Sequence, residues 1–221
     1  MQSQDFRVFV QARMSSARFP GKVLAPFRGR PIIDHVLSRI AQAVPSDRTI
    51  VATSTEPSDD PLAAYLNGSG VSVFRGPLDD VLLRFQMCLE QFPCRWMVRV
   101  SADSPLLDSK MFARMLPYVE RDDLDIVTNV FPRTFPKGNS LEMLRATTFA
   151  EIDSTSLRPE LREHVTRLIY EEPSKYRILN IESEDGDRSH SSLCVDTIDD
   201  LQRLDALAEE QELAAAESIS G

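Results

Sequence analysis

Residues 7–22 read RVFVQARMSSARFPGK. The first five alternate around β-branched residues, the pattern of a short strand. The next eleven form a polar, basic loop around Pro20-Gly21. A strand that passes directly into such a loop suits an open α/β sheet, where ligands sit beyond the carboxyl ends of strands. Working outward, residues 31–43 (PIIDHVLSRIAQA) place Ile32, Ile33, Val36, Leu37 and Ile40 at helical spacing, with Pro31 suited to a first-turn position. Residues 49–53 (TIVAT) read as a buried strand and 60–67 as a short helix stopped by Gly68 and Gly70. Residues 71–74 are a third strand. Residues 79–92 are a helix with Val81, Leu82, Phe85, Cys88, Leu89 and Phe92 on one face. A strand at 96–100, a helix at 111–119 that Ser109 would cap, and a strand at 125–128 follow. This alternation predicts a mostly parallel sheet with helices on both faces.

After about residue 129 the alternation breaks. Residues 140–144 read as an extended excursion, 159–171 as helical, and 176–181 and 192–195 as strand-like. A terminal helix is expected at 197–213, where Thr197-Ile198-Asp199-Asp200 resembles a capping box with Asp in place of Glu. Residues 214–221 are expected to fray. There is no internal repeat and no Ser/Gly linker, so one domain spanning 1–221 is expected, with a smaller lobe at 129–185.

The 221 residues, 42% of them hydrophobic, suffice for a well-buried core. No apolar run approaches the roughly 20 residues that cross a bilayer, and the first five residues are too polar for a secretory segment. Cys88, Cys94 and Cys194 fit neither a disulfide framework nor a zinc site. A reduced, cytoplasmic enzyme or binding protein is expected, without membrane contact. The formal charge of −9 argues against nucleic acid as a partner. Yet every formal charge from 7 to 30 is basic: Arg7, Arg13, Arg18, Lys22, Arg28 and Arg30. A cationic patch on an acidic protein suits a small anionic ligand. The acidic stretch from Asp199 onward reads as a solvated helix face.

In the first loop, Arg13, Arg18 and Lys22 are interleaved with Ser15 and Ser16. Guanidinium forks donate paired hydrogen bonds to phosphate, an ammonium acts as a point charge, and Gly21 lets backbone approach a ligand. Neither a Walker A nor a GxGxxG glycine pattern is present. Taken alone, the loop is as well explained as a basic surface segment. However, A-R-x-x-S-x-R-x-P-G-K over 12–22 resembles the nucleotide-binding signature of the CMP-sugar synthetases that activate Kdo and acylneuraminic acids. It resembles more closely the cytidylyltransferase branch named for spore-coat polysaccharide biosynthesis.

The resemblance runs from about residue 6 to 207 and implies a Rossmann-like nucleotide-diphospho-sugar transferase fold. It puts Ala12, Arg13, Ser16, Arg18 and Lys22 on the triphosphate of CTP, and Thr53, at the end of IVATS, beside the nucleoside. It puts Arg75 and Gly76, from VFRG followed by DDVLLRF, near the base and sugar. RVSADSPLLD over 99–108 resembles the family's RITGDCPLID, which implies that Ser101 lies at the nucleotide and that Asp103 binds metal. VDTIDDL over 195–201 resembles VDTPEDL, which makes Asp196 the second metal ligand. Two carboxylates suit Mg²⁺, which takes one or two of them with phosphate oxygens and water. A lone Asp before Ser-Pro is otherwise commonly a turn or capping residue, and Asp108 and Asp199 read as structural. PRTFP over 132–136 resembles the branch's PRTFPDGLDVEVF and implies acceptor contacts from Arg133 and Glu142. Here the chain departs from the branch, because two acidic positions are Lys137 and Ser140. REHVT matches EREHVT and places His164 at the acceptor or at a dimer partner, although a lone helical His is more often a packing residue.

The implied activity is Mg²⁺-dependent transfer of CMP from CTP to an acidic sugar or related anionic acceptor, with release of pyrophosphate. Arg13, Arg18, Lys22 and Asp103 carry the chemistry. No general base is visible. A homodimer is implied, with the 129–185 lobe crossing to its neighbour. Three alternatives stand beside this: a phosphate or phosphonate acceptor, a glycosyltransferase, and a non-catalytic nucleotide-binding protein on the same fold.

Overall fold

The computed structural model describes residues 5–220, with side chains described as far as residue 210. Its strands are β1 (Phe6–Gln11), β2 (Pro26–Phe27), β3 (Arg30–Pro31), β4 (Thr49–Ser54), β5 (Ser72–Gly76), β6 (Trp96–Ser101), β7 (Ile126–Thr128), β8 (Glu142–Arg145) and β9 (Ile178–Asn180). The α-helices are α1 (Ile32–Ala41), α2 (Asp60–Gly68), α3 (Val81–Gln91), α4 (Lys110–Met115), α5 (Ala146–Ala150), α6 (Pro159–Glu163), α7 (Arg167–Glu171) and α8 (Ile198–Ser220).

Seven strands form one sheet in the order β5-β4-β1-β6-β8-β7-β9, in which only β8 runs antiparallel to its neighbours. β1 pairs in parallel with β4 on one side and β6 on the other. Chain order therefore reverses at β1/β6, the kind of position where open α/β sheets form a ligand crevice. Alternate residues of β1 enter opposite layers, as the period of a strand requires. Val8 and Val10 pack with Ile33, Val36 and Ile40 of α1 and Leu62 and Leu66 of α2. Phe9 packs with Val81, Leu82 and Phe85 of α3. Both faces are thus covered, which explains why β1 and β4 are nearly continuous apolar runs.

Several local expectations are corrected. Pro31 ends β3 and occupies the N-cap position of α1, not its first turn. β2 and β3 are a hairpin whose turn residues Arg28 and Gly29 both have positive φ, a turn matched to strand twist. The Ser109 hydroxyl donates to Gln42 and does not cap α4; the Asp108 carboxylate accepts from the Lys110 amide instead. α4 gives way to a 3₁₀ turn (Leu116–Glu120) at Pro117, which lacks an amide proton for helix continuation. Residues 140–144 are less an excursion than the approach to β8, which is inserted between β6 and β7. The 159–171 helix is broken into α6 and α7, and Val165 between them turns into the core with Phe85 and Phe149. Residues 192–195 form only a single bridge from Ser192 to Lys137. The capping box is present, because Asp200 accepts from the Thr197 amide and the Thr197 hydroxyl accepts from the Asp200 amide. α8 continues as helix to Ser220, past the 213 expected, while Gly221 lies outside the described residues.

Candidate active site

The loop after β1, the loop after β6 and the segment entering α8 enclose a cleft of about 300 Å³ at the β1/β6 switch point. It is lined by Ala12, Arg13, Ser16, Arg18, Lys22, Ser101, Asp103 and Asp196. The first loop is folded on itself by bonds from the Ser16 and Gly21 amides to the Met14 carbonyl. Gly21, at φ 75°, adopts the left-handed conformation that lets the chain enter a 3₁₀ turn at Lys22.

Asp59 anchors this loop to the sheet. One carboxylate oxygen accepts from the Met14 amide (2.7 Å), and the other from Thr53 Oγ1 (3.0 Å), the Ser54 amide (3.0 Å) and the Ser54 hydroxyl. Burial pushes its carboxyl upward, but these bonds outweigh that and hold it below the ordinary aspartate range. Sequence reading missed Asp59, whose role is visible only once residues 14 and 53–54 are adjacent.

The Lys22 ammonium donates to Asp103 Oδ2 (2.9 Å), Asp196 Oδ1 (3.0 Å) and the Val195 carbonyl (2.8 Å). Arg18 Nη2 meets the other Asp196 oxygen at 2.8 Å. Arg13 reaches to Glu163 of α6 at 3.2 Å. Burial works against the Lys22 charge, but the attraction and hydrogen bonds of Asp103 and Asp196 prevail, and its pKa is raised. The two carboxylates thus converge on one point, on the same side of the sheet as the cationic loop.

Thr53, Arg75 and Gly76 are not among the residues lining this cleft. Thr53 is buried on Asp59. Arg75 donates to the Ser54 and Glu56 carbonyls and pairs with Asp60 at 2.7 Å, stapling the loop between β4 and α2. At Gly76 a Cβ would meet Arg84 Cγ at 2.9 Å.

A second cavity of about 520 Å³ shares Ser101 with the cleft and contains Arg133, Glu142 and His164, with Arg99, Ser140 and Tyr170. Glu142 is 3% exposed. Its carboxylate accepts from Arg99 Nη1 (2.5 Å) and from the Tyr170 hydroxyl (2.6 Å). Arg99 also donates to Gln11 Oε1 at 2.9 Å, joining the cavity wall to the end of β1. Burial first, and then the Glu142 charge, push the Tyr170 phenol far upward, so it remains a donor. Arg133 donates to the neutral Ser140 hydroxyl at 2.9 Å. Lys137 is exposed and is not among the residues lining this cavity. Arg99 and Tyr170 carried no role in the sequence reading; the only signal was an arginine inside an otherwise apolar strand.

A larger groove of about 810 Å³ lies behind the loop that follows Asp103, between Arg39, Phe135, Arg188 and Leu193. Its lining includes the Asp200–Arg203 pair at 3.2 Å but neither Asp103 nor Asp196.

A doubly covered sheet with cations and paired carboxylates at its switch point, beside a second polar cavity, suits an α/β nucleotidyltransferase. The chain belongs to the cytidylyltransferase family, whose profile matches residues 8–219. It is similar to the spore coat polysaccharide biosynthesis protein SpsF of Bacillus subtilis, with 29% identity over 228 residues, covering 98% of this chain and 93% of that one. The structure of a cytidylyltransferase from Leptospira borgpetersenii superposes with a TM-score of 0.86 and 30% identity, covering 91% of this chain and 85% of that one. CMP:2-keto-3-deoxy-manno-octonic acid synthetase, solved in complex with CTP, shares the fold with a TM-score of 0.68 and 17% identity, over 93% and 99% of the two chains.

Proposed function

We propose that this enzyme transfers CMP from CTP to an anionic small-molecule acceptor, in the first instance an acidic sugar for surface glycan synthesis, and releases pyrophosphate. The convergence of Arg18 and Lys22 with Asp103 and Asp196 at the switch point carries this reading. The cleft takes the triphosphate and the cavity beyond Ser101 takes the acceptor. An acceptor oxygen attacks the α-phosphorus in line, forming a new P–O bond as the bond to the β-phosphate breaks. Pyrophosphate leaves with the electron pair, and a hydroxyl acceptor gives up its proton to water. Such a reaction needs positioning and charge neutralisation more than covalent side-chain chemistry. Arg13 and Arg18 neutralise phosphate oxygens as charge moves onto the leaving group.

The donor set fits Mg²⁺. Two carboxylates converge within 3.0 Å of a single nitrogen, and a hard ion uses one or two carboxylates with phosphate oxygens. No third His, Cys, Asp or Glu joins them among the described residues, so nucleotide oxygens would complete the shell. When held by Asp103 and Asp196, the ion would supply charge neutralisation to the phosphates and would make an acceptor hydroxyl more acidic.

Arg133 supports an anionic acceptor, because among the described residues it bonds the neutral Ser140 hydroxyl and pairs with no carboxylate. Glu142, with both oxygens occupied, orients Arg99 and Tyr170 at the cavity wall, and His164 faces the acceptor. We extend the reading to a homodimer meeting through the 129–185 lobe, which sedimentation would test. No helix among the described residues is long and apolar enough to cross a membrane.

The test is pyrophosphate release from each of the four ribonucleoside triphosphates with Mg²⁺, with and without acidic sugars, sugar phosphates and phosphonates. CTP-specific release that requires one acceptor class, with a CMP-linked product, is expected. Free nucleotide cleaved from a nucleotide sugar would indicate a glycosyltransferase. CTP binding without turnover on any acceptor would contradict catalysis.

A further inference from the structure

We infer that Lys22 is an internal counter-cation that holds Asp103 and Asp196 together, and that its ammonium exchanges onto phosphate oxygens when a divalent ion and nucleotide bind. This rests on the metal-dependent reading above. An ammonium has three donor protons and no acceptor. All three are committed here, to Asp103, Asp196 and the Val195 carbonyl, so none remains for a phosphate. Lys22 is only 9% exposed, which makes this a built position and not a surface encounter. Arg18 takes the remaining Asp196 oxygen, so two cations balance two carboxylates.

A divalent ion on the same oxygens would lie beside the ammonium and be repelled by it, all the more in a partly buried site. The two cations therefore compete for the pair. Lysine is a compact point charge on a flexible four-carbon stem, and Lys22 lines the same cleft as Arg13, Ser16 and Arg18. Leaving the carboxylates therefore brings the ammonium toward the triphosphate position without moving the sheet. The free enzyme therefore has low affinity for metal until nucleotide offers Lys22 a second anion.

The test is Mn²⁺ binding to the full chain without nucleotide, read by electron paramagnetic resonance, for the wild type and Lys22→Met. The variant is expected to bind Mn²⁺ at least about tenfold more tightly, and Mn²⁺ to raise its melting temperature more than that of the wild type. Equal Mn²⁺ affinities, with Mn²⁺ still needed for pyrophosphate release, overturn the exchange and leave the proposed function standing. Pyrophosphate release unaffected by EDTA overturns the metal reading and the exchange with it. A wild-type arm needs no substitution. The ¹⁵N signal of the Lys22 ammonium is expected to persist in millimolar Mg²⁺ alone and to shift with Mg²⁺ and CTP together. A signal unchanged by Mg²⁺ and CTP overturns the exchange.

Discussion

The switch-point cleft and the cavity beyond Ser101 both contain ion pairs, but of opposite character. In the cleft, Arg18 and Asp196 keep 66% and 39% of their side-chain surface exposed. Across Ser101, Arg99 and Glu142 keep 19% and 4%. An exposed pair contributes little to folding and exchanges partners readily, whereas a buried hydrogen-bonded pair is costly to break. The outer pair of the cleft is thus poised to change partners, while Lys22 and Asp103 beneath it keep only 11% and 23%. The cavity wall is a fixed frame that presents Arg133 against a neutral partner.

Substitutions should separate the two regions. The largest effect is expected for Asp103→Asn or Asp196→Asn, with pyrophosphate release falling to background while circular dichroism stays native. Retained turnover in either variant would remove the carboxylates from the mechanism. Next, Glu142→Ala leaves Arg99 buried without its partner and is expected to cost about 3–5 kcal/mol of stability in urea titration. Arg18→Ala should show the reverse profile. Its stability loss stays below about 1 kcal/mol, while turnover slows on the order of 10²-fold, the size of losing a preorganised donor. A large stability loss in Arg18→Ala, or none in Glu142→Ala, would erase the distinction.

Ser140→Asp places a carboxylate on Arg133. It is expected to raise KM for the anionic acceptor by about tenfold, equivalent to about 1.4 kcal/mol, without altering KM for CTP. A shift in CTP KM instead would move Arg133 to the nucleotide. The smallest effect concerns the loop anchor. The folded pKa of Asp59 lies below its unfolded value, so its stabilisation is full above the unfolded pKa of about 3.9 and is lost as pH falls through the folded value. The stability difference between wild type and Asp59→Asn should therefore be greatest above about pH 4 and close in stronger acid. A difference that grows with acidification would give the shift the opposite sign.

What the sequence made legible was local. β1, its basic loop, α1 to α3 and the capping box of α8 each declare themselves within a dozen residues, through period, breakers and cap chemistry. The Arg28-Gly29 turn was also a local signal and was passed over. What was not legible depends on distant partners. β8 is four residues long, and its antiparallel place is set by β6 and β7 on either side. Arg75 and Thr53 occupy strand ends, where ligand residues are common, yet their hydrogen bonds close a loop. Lys22 has the right type and spacing for a phosphate ligand, but its partners lie 81 and 174 positions away. Residue type located the charge; only the fold shows which ion it meets first.

The most direct measurement is a crystal structure with Mg²⁺ and a non-hydrolysable CTP analogue. The expected result places the triphosphate among Arg13, Ser16 and Arg18, with the ion on Asp103 and Asp196. Nucleotide bound instead in the 810 Å³ groove between Arg39 and Arg188, with the switch-point cleft unchanged, would contradict it.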